Sequence, residues 1–191
     1  MSRAVILYLS SSPMDYLIRK AKLDERAAIE QLIAESARHL SLEDYSAGQI
    51  EGAINTVFGV DTDLILDETY FVADSHGALV GCGGWSRRRT LFGGDRFAGR
   101  DSSALDPQTE AAKIRAFFVH PSWARKGIGR AILSACESEA KDAGFRALEL
   151  MSTLPGLKLY RACGYADDER FELEVGDGLS IALVRMRKEL R

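Results

Sequence analysis

The segment Val119-His120-Pro121-Ser122-Trp123-Ala124-Arg125-Lys126-Gly127-Ile128-Gly129-Arg130 concentrates the chemistry of this sequence. An apolar run ends at Val119, a tight turn follows, and a helical pattern begins at Gly127-Ile128-Gly129. Glycines let the main chain approach a ligand closely, and the free N–H groups at a helix start favour anions. Arg125, Lys126 and Arg130 add positive charge around the turn, although 25 Lys+Arg against 28 Asp+Glu leave the chain at −3. The pattern predicts a pyrophosphate cradle whose attraction is local. Two rival phosphate motifs fail on their letters. No Gly-Lys pair is followed by Ser or Thr, which a Walker loop requires, and the third glycine of a Gly-x-Gly-x-x-Gly fingerprint is Ile132 here.

Other chemistries find less support. Cys82, Cys136 and Cys163 are scattered with no C-x-x-C pair, which reads as reduced thiols in a cytoplasmic protein. His39, His76 and His120 are equally dispersed, so no metal site is expected. Net acidity and the absence of a basic module argue against nucleic acid and against an anionic membrane surface. The apolar run Ala4–Leu9 is too short for a membrane span, and Ser10-Ser11-Ser12-Pro13 is not a leader cleavage site. Residues 1–15 read as an N-terminal extension: an extra strand, a partner-facing arm or a start-site artefact. With 46% hydrophobic and 28% charged residues over 191 positions, the remainder, 16–191, reads as one soluble globular domain.

The elements that must position the glycine turn follow from periodicity. Tyr16–Ala21 reads as a first strand and Asp24 as the N-cap of a helix running to about Arg38. A second helix places Ile50, Ile54, Val57 and Phe58 on one face and ends at Gly59. Thr69–Ala73 and Ala78–Cys82 form a hairpin across Asp74-Ser75-His76-Gly77. A polar connection from Thr90 to Glu110 is long enough to suggest a functional loop. The strand Ile114–Val119, a helix from Ile128 to Gly144, the strand Ala147–Met151 and a short helix from Thr153 to Cys163 follow. Phe171–Val175 and Leu179–Arg187 close the chain as a hairpin. The order β-α-α-β-β-β-α-β-α-β-β defines a mixed α/β domain.

Ala124-Arg125-Lys126-Gly127-Ile128-Gly129 resembles the acyl-CoA motif Gln/Arg-x-x-Gly-x-Gly/Ala of the Gcn5-related N-acetyltransferase (GNAT) superfamily. The leading position holds Ala124, with Arg125 one place later. Leu157-Lys158-Leu159-Tyr160-Arg161-Ala162-Cys163-Gly164-Tyr165 is similar to the family's later Leu-Tyr-x-x-x-Gly-Phe signature, with Thr153 where an Asn is common. Both motifs, in order and with strands between them, make the resemblance specific.

The resemblance implies a mixed, mostly antiparallel sheet, splayed where acetyl-CoA binds and flanked by helices. It implies transfer of acetyl from acetyl-CoA to a primary amine of a small molecule or peptide, by direct attack and without metal. Backbone groups of Phe117, Phe118 and Val119 would pair with the pantetheine arm. Amides of Arg125, Lys126, Gly127, Ile128, Gly129 and Arg130 would hold the diphosphate. A backbone N–H of Phe118 or Val119 would meet the oxyanion, and the Tyr160 phenol would protonate the leaving thiolate. Tyr160 also reads as a packed helical aromatic, and the glycine turn as a bare strand-to-helix turn.

No general base is assigned. Arg115 occupies the mid-strand place where some family members carry Glu, Glu110 lies upstream, and Glu149 reads as solvent-facing. His120 reads as a turn residue, and Glu35, His39 and Tyr45 as surface or packing positions near the acceptor side. Arg87-Arg88-Arg89, with Arg96 and Arg100, reads as a solvated hairpin end or as a site for an acidic acceptor or the CoA 3′-phosphate. An acyl-CoA-binding regulator without turnover and an acyltransferase with a longer donor or a hydroxyl acceptor remain alternatives. Exposed sheet edges make a homodimer an option.

Overall fold

The computed structural model describes residues 15–190, so the expected N-terminal extension lies, but for its last residue, outside the described residues. Twelve helices and strands follow: β1 (Leu17–Lys20), α1 (Arg26–Leu40), α2 (Ala47–Thr56), α3 (Thr62–Leu66), β2 (Tyr70–Ser75), β3 (Ala78–Ser86), β4 (Ala112–Val119), α4 (Ile128–Asp142), β5 (Ala147–Thr153), α5 (Leu157–Ala162), β6 (Ala166–Gly176) and β7 (Leu179–Glu189). The predicted order holds, with α3 as an unanticipated addition. Asp24 is not an N-cap: it sits inside a single 3-10 turn, Leu23–Glu25, that leads into α1. α2 ends at Thr56, earlier than Gly59, because the backbone leaves helical geometry at Val57.

The strands form one sheet in the order β1-β2-β3-β4-β5-β7-β6, antiparallel at every pair except β4 with β5. Period-two alternation decides which side chains face which layer. Ala112 and Ile114 of β4 pack with Leu148 and Leu150 of β5 beneath Ile128, Ile132 and Cys136 of α4. On the opposite face, Ile29 and Ile33 of α1 and Ile50 and Ala53 of α2 cover Val72, Cys82 and Ile181.

Two irregularities shape the centre of the sheet. Cys82 pairs with Phe118 but Gly84 pairs with Arg115, so Gly83 stands opposite both Ala116 and Phe117. This is a β-bulge, and Ala116 takes a left-handed φ of 56° to make it. The Tyr70 hydroxyl donates to the displaced Ala116 carbonyl at 3.2 Å. The second irregularity is the β4–β5 ladder, which joins only Ala112 to Leu148, Lys113 to Glu149 and Ile114 to Leu150. Past these pairs β4 runs on to Val119 and β5 to Thr153 as diverging strands.

The connection from Thr90 to Glu110 carries no helix or strand, as expected, but it is firmly anchored. Arg115 Nη2 lies 2.5 Å from Asp61 Oδ2 and donates to the Gly93 carbonyl at 2.5 Å. Arg100 bridges Asp61 at 2.9 Å and Asp63 at 2.8 Å and also reaches Gly93 O. The Arg115 and Asp61 side chains are 1% and 0% exposed. Burial draws the Arg115 guanidinium below its ordinary value, against the pull of Asp61. Main-chain bonds from Gly94 to Val57 O and from Asp95 to Val60 O fasten the loop to the end of α2.

Removing Arg115 leaves the fully buried Asp61 with Arg100 alone, so part of its charge is left uncompensated. Arg115→Ala is therefore expected to destabilise the fold by about 3–5 kcal/mol and to lower Tm by roughly 6–20 °C. A thermal melt within a degree or two of wild type would show that Arg100 alone suffices for Asp61.

Candidate active site

The diverging ends of β4 and β5 open beside the segment that concentrates the glycines and cations. His120 leaves β4, a 3-10 turn spans Pro121–Trp123, and α4 starts at Ile128 with Gly127 as its N-cap. Arg125 and Gly127 both take left-handed φ values, 66° and 85°. Left-handed residues interleaved with ordinary ones gather successive N–H groups into a concave anion site. Only glycine adopts this conformation without strain, and a Cβ added at Gly127 would meet no atom within 4 Å. At Gly129 a Cβ would come 3.0 Å from Leu159 Cδ2, so the small residue keeps α4 close to α5. The first helical bond runs from Ala131 N to Gly127 O, and no side chain caps the helix. The amides of Ile128, Gly129 and Arg130 are thus the free donors of the first turn.

The cations around this turn differ from the ion-paired arginines Arg88, Arg89, Arg96 and Arg100 between β3 and β4. Arg125, Lys126 and Arg130 are exposed and make no ion pair among the described residues, although Lys126 Nζ rests 4.7 Å from the Trp123 ring centroid. Trp123 is itself met edge-on by Tyr16 at 6.3 Å. Ile128 contributes its amide alone, because its side chain is buried against Gly81.

Backbone direction on β4 follows from the ladder. His120 N bonds to Val80 O, so Phe118, two residues earlier and opposite Cys82, turns its backbone toward β3 as well. Val119 and Phe117 turn the other way, and Val119 N meets Ser36 Oγ of α1 at 3.3 Å. The expected Phe118 N–H therefore faces the neighbouring strand, not the gap. Ser36 had no signal in the sequence beyond its place on the inner face of α1.

Tyr160 lies beneath the divergence. Its ring centroid is 6.2 Å from that of Phe117 on β4 and 5.7 Å from that of Tyr165, and its Cε2 edge borders Gly156 just past β5. It bridges the two parting strands while remaining 8% exposed. Burial, reinforced by the Cys136 and Cys163 thiols, raises the phenol well above its ordinary value. Packing and proximity to the gap coexist in this residue.

Two expectations are corrected, for Glu149 and for the arginine cluster, while Tyr45, His39 and His120 sit as read. Glu149 does not face solvent: it is 4% exposed and held by Lys113 Nζ and the Arg185 guanidinium. Burial pushes its carboxyl up, but the two cations outweigh burial and hold it below its usual value. The arginine cluster is not a free basic surface. Arg88 pairs with Asp67, Arg89 with Glu110, Arg96 with Glu30, and Arg100 with Asp61 and Asp63. Arg87 lies over the Trp85 ring at 5.6 Å. Tyr45 is buried, donating to Ala182 O and accepting from Leu154 N, which ties α2's approach to β7 and the end of β5. His120 Nδ1 accepts from Ser122 N and its Nε2 lies 3.6 Å from Glu35, while His39 reaches the Glu35 carbonyl. Two surface clefts of about 350 and 640 Å³ lie elsewhere, beside Arg26 and Arg96 and beside Ser134 and Lys188.

The fold with its split central strands and the loop at α4 define an acetyltransferase architecture, and residues 26–165 match the acetyltransferase (GNAT) family. The chain belongs to that family. It is 35% identical over 60 residues to an aminoglycoside N(6′)-acetyltransferase type 1 from Stenotrophomonas maltophilia, an alignment spanning 30% of this chain and 39% of that protein. It is 29% identical over 157 residues to an IAA acetyltransferase from Azospirillum brasilense, spanning 81% of this chain and 87% of the other. Among solved structures, a GCN5-related N-acetyltransferase from Rhodopseudomonas palustris superposes with a TM-score of 0.69 at 18% identity, covering 98% of this chain and 100% of that one. PaiA N-acetyltransferase from Thermoplasma acidophilum, solved with coenzyme A, gives 0.63 at 16% identity, covering 93% and 100%. At these identities the structural likeness shows the fold.

The Glu149 cluster has a pH signature. A carboxyl depressed in the folded state contributes stability above its unfolded value, about 4.3, and loses it as pH falls through the folded value. Urea midpoints for Glu149→Gln are expected to fall less steeply than wild type from pH 5 to pH 3. Parallel acid limbs would remove Glu149 from the ion cluster in solution.

Proposed function

We propose that this protein transfers the acetyl group of acetyl-CoA to a primary amine by direct nucleophilic attack. The observation that carries the reading is the coincidence, at the open end of β4 and β5, of free first-turn amides, a left-handed loop with open space above it, and three cations without carboxylate partners among the described residues. A diphosphate satisfies all three. The bound cosubstrate supplies the thioester carbonyl; the chain's own groups do the rest.

The amides from Arg125 to Arg130 hold the diphosphate, with Arg125, Lys126 and Arg130 adding charge. Phe117 and Val119 offer the gap-facing backbone of β4 to an extended amide-bearing arm. Because Val119 N already meets Ser36 Oγ, we place the oxyanion donor at the Phe117 amide instead of Phe118. Tyr160 keeps its proton through the neutral range, so it acts as a donor to the departing thiolate and not as a base. The free cysteines are poor nucleophiles: burial pushes the Cys82 thiol up to about 12 and raises Cys136 and Cys163, which fits direct attack without an acyl-enzyme. Three free thiols also fit the cytoplasmic setting we infer.

A second reading, binding without turnover, draws on Glu149, the buried carboxylate beside the last β4–β5 pairs, which two cations hold ionised and occupied. Acetyl-CoA consumption that responds to an added amine decides against it.

Calorimetric titration with acetyl-CoA, with ATP as control, is expected to give micromolar binding of the first and little response to the second. Gly129→Asp keeps its fold, since Leu159 Cδ2 is a flexible neighbour and an acid suits a helix start, but loses acetyl-CoA binding to a like charge in the cradle. Unchanged affinity would remove the cradle assignment. Tyr160→Phe is expected to lower kcat about 10²–10⁴-fold at nearly unchanged acetyl-CoA affinity. A wild-type rate would leave Tyr160 with packing alone.

A further inference from the structure

The loop between β3 and β4 is fastened by a buried ion network, yet it displays apolar rings. Phe92 and Phe97 stack at a centroid distance of 4.9 Å and are only partly buried. Phe92 reaches across to Phe171 of β6 at 6.4 Å, and Phe171 is 42% exposed. On the strand side, Phe118 points toward the α1 and α2 layer and meets Phe58 at 5.5 Å, again partly exposed. Gly93 joins the two halves, with its carbonyl on Arg115 of β4 and a Cβ position filled by Phe97. Two aromatic groups, Phe92 with Phe97 and Phe171, and Phe118 with Phe58, thus lie on either side of the Gly93–Arg115 contact, with Phe92, Phe97 and Phe118 on the same core layer.

Charge narrows what this surface can receive. The loop's Arg88, Arg89, Arg96 and Arg100 all sit on carboxylates, so none is free to hold an acidic group. The same pairs occupy Asp61, Asp63, Asp67 and Glu110, and Asp95 is taken by Arg26 and Thr62, so these five carboxylates are not open to a polycation. Beside these pairs, ring surface is exposed. Aromatic rings favour edge and offset contacts with other rings.

Resting on the acetyltransferase reading above, we infer that the acceptor is an amine carried on a flat aromatic body, an arylalkylamine, and that Phe92, Phe97, Phe118 and Phe171 select it. The buried Arg115–Asp61–Arg100 network positions the loop so that the rings stand ready before the acceptor arrives.

The test compares 2-phenylethylamine, tryptamine, spermidine and kanamycin as acceptors, with acetyl-CoA binding measured on the same preparations. Arylalkylamines are expected to exceed the two polycations at least about tenfold in kcat/KM. Phe92→Ala and Phe171→Ala are each expected to raise KM for the arylalkylamine about tenfold, with the acetyl-CoA Kd unmoved. Phe92→Tyr, which keeps the ring, retains the wild-type KM. Preferred turnover of spermidine or kanamycin, an unmoved KM in both alanine variants, or acetyl-CoA binding with no amine of the panel consumed would each overturn the aromatic acceptor and leave the cradle standing. Absence of acetyl-CoA binding would instead overturn the acetyltransferase reading and this inference with it.

Discussion

The parting of β4 from β5 after three paired residues is the constraint around which the rest of this molecule is arranged. A sheet that opens at its centre exposes main-chain donors and acceptors that elsewhere find partners across a ladder. Such a split persists only if the strands are prevented from closing. On one side the bulge at Ala116, fixed by Tyr70 and by the glycine at position 83, bends β4 away. On the other, the rings of Phe117 and Tyr160 pack against each other on the α4 side of the strand ends. Lys113 and Glu149 clamp the ladder one pair before it ends.

The two faces of the split have different physical characters. Toward α4 lie the amides and free cations of the loop from Arg125 to Arg130, a polar and exposed site held close to an apolar core through Ile128 and Gly129. Toward α1 and α2 lie buried ions covered by phenylalanine rings. Buried ion pairs contribute little net stability because desolvation offsets attraction. Their value here is positional: Arg115 has two nitrogens without hydrogen-bond partners among the described residues, so the pair is retained at some cost while it fixes Gly93 and the loop.

The sequence made the family and the order of elements legible because glycine spacing and apolar periodicity are local properties. The tight strand-to-helix turn before α4 was readable from Gly127 and Gly129. What escaped is non-local. Asp61 lies 54 positions before Arg115, and only the arginine in an otherwise apolar strand run hinted at a buried acid. Glu149 sits in the alternating run Ala147–Met151, which reads as half solvated until β7 brings Arg185 over it. The loop arginines look alike in one dimension, and only folding gives carboxylates to Arg88, Arg89, Arg96 and Arg100 while Arg87 lies over Trp85. The direction of the Phe118 amide depends on a register shift that no single strand can reveal.

The unequal use of charge has a consequence for how the molecule responds to its medium. Arg88, Arg89, Arg96 and Arg100 of the β3–β4 loop are committed to carboxylates at contact distance, where counterions compete poorly. Arg125, Lys126 and Arg130 face open solvent, where the Debye length at physiological ionic strength is only about 8 Å. If these cations hold an anionic cosubstrate as proposed, added electrolyte weakens its capture while leaving the aromatic side of the split largely untouched. Ionic strength acts on one half of the molecule at a time.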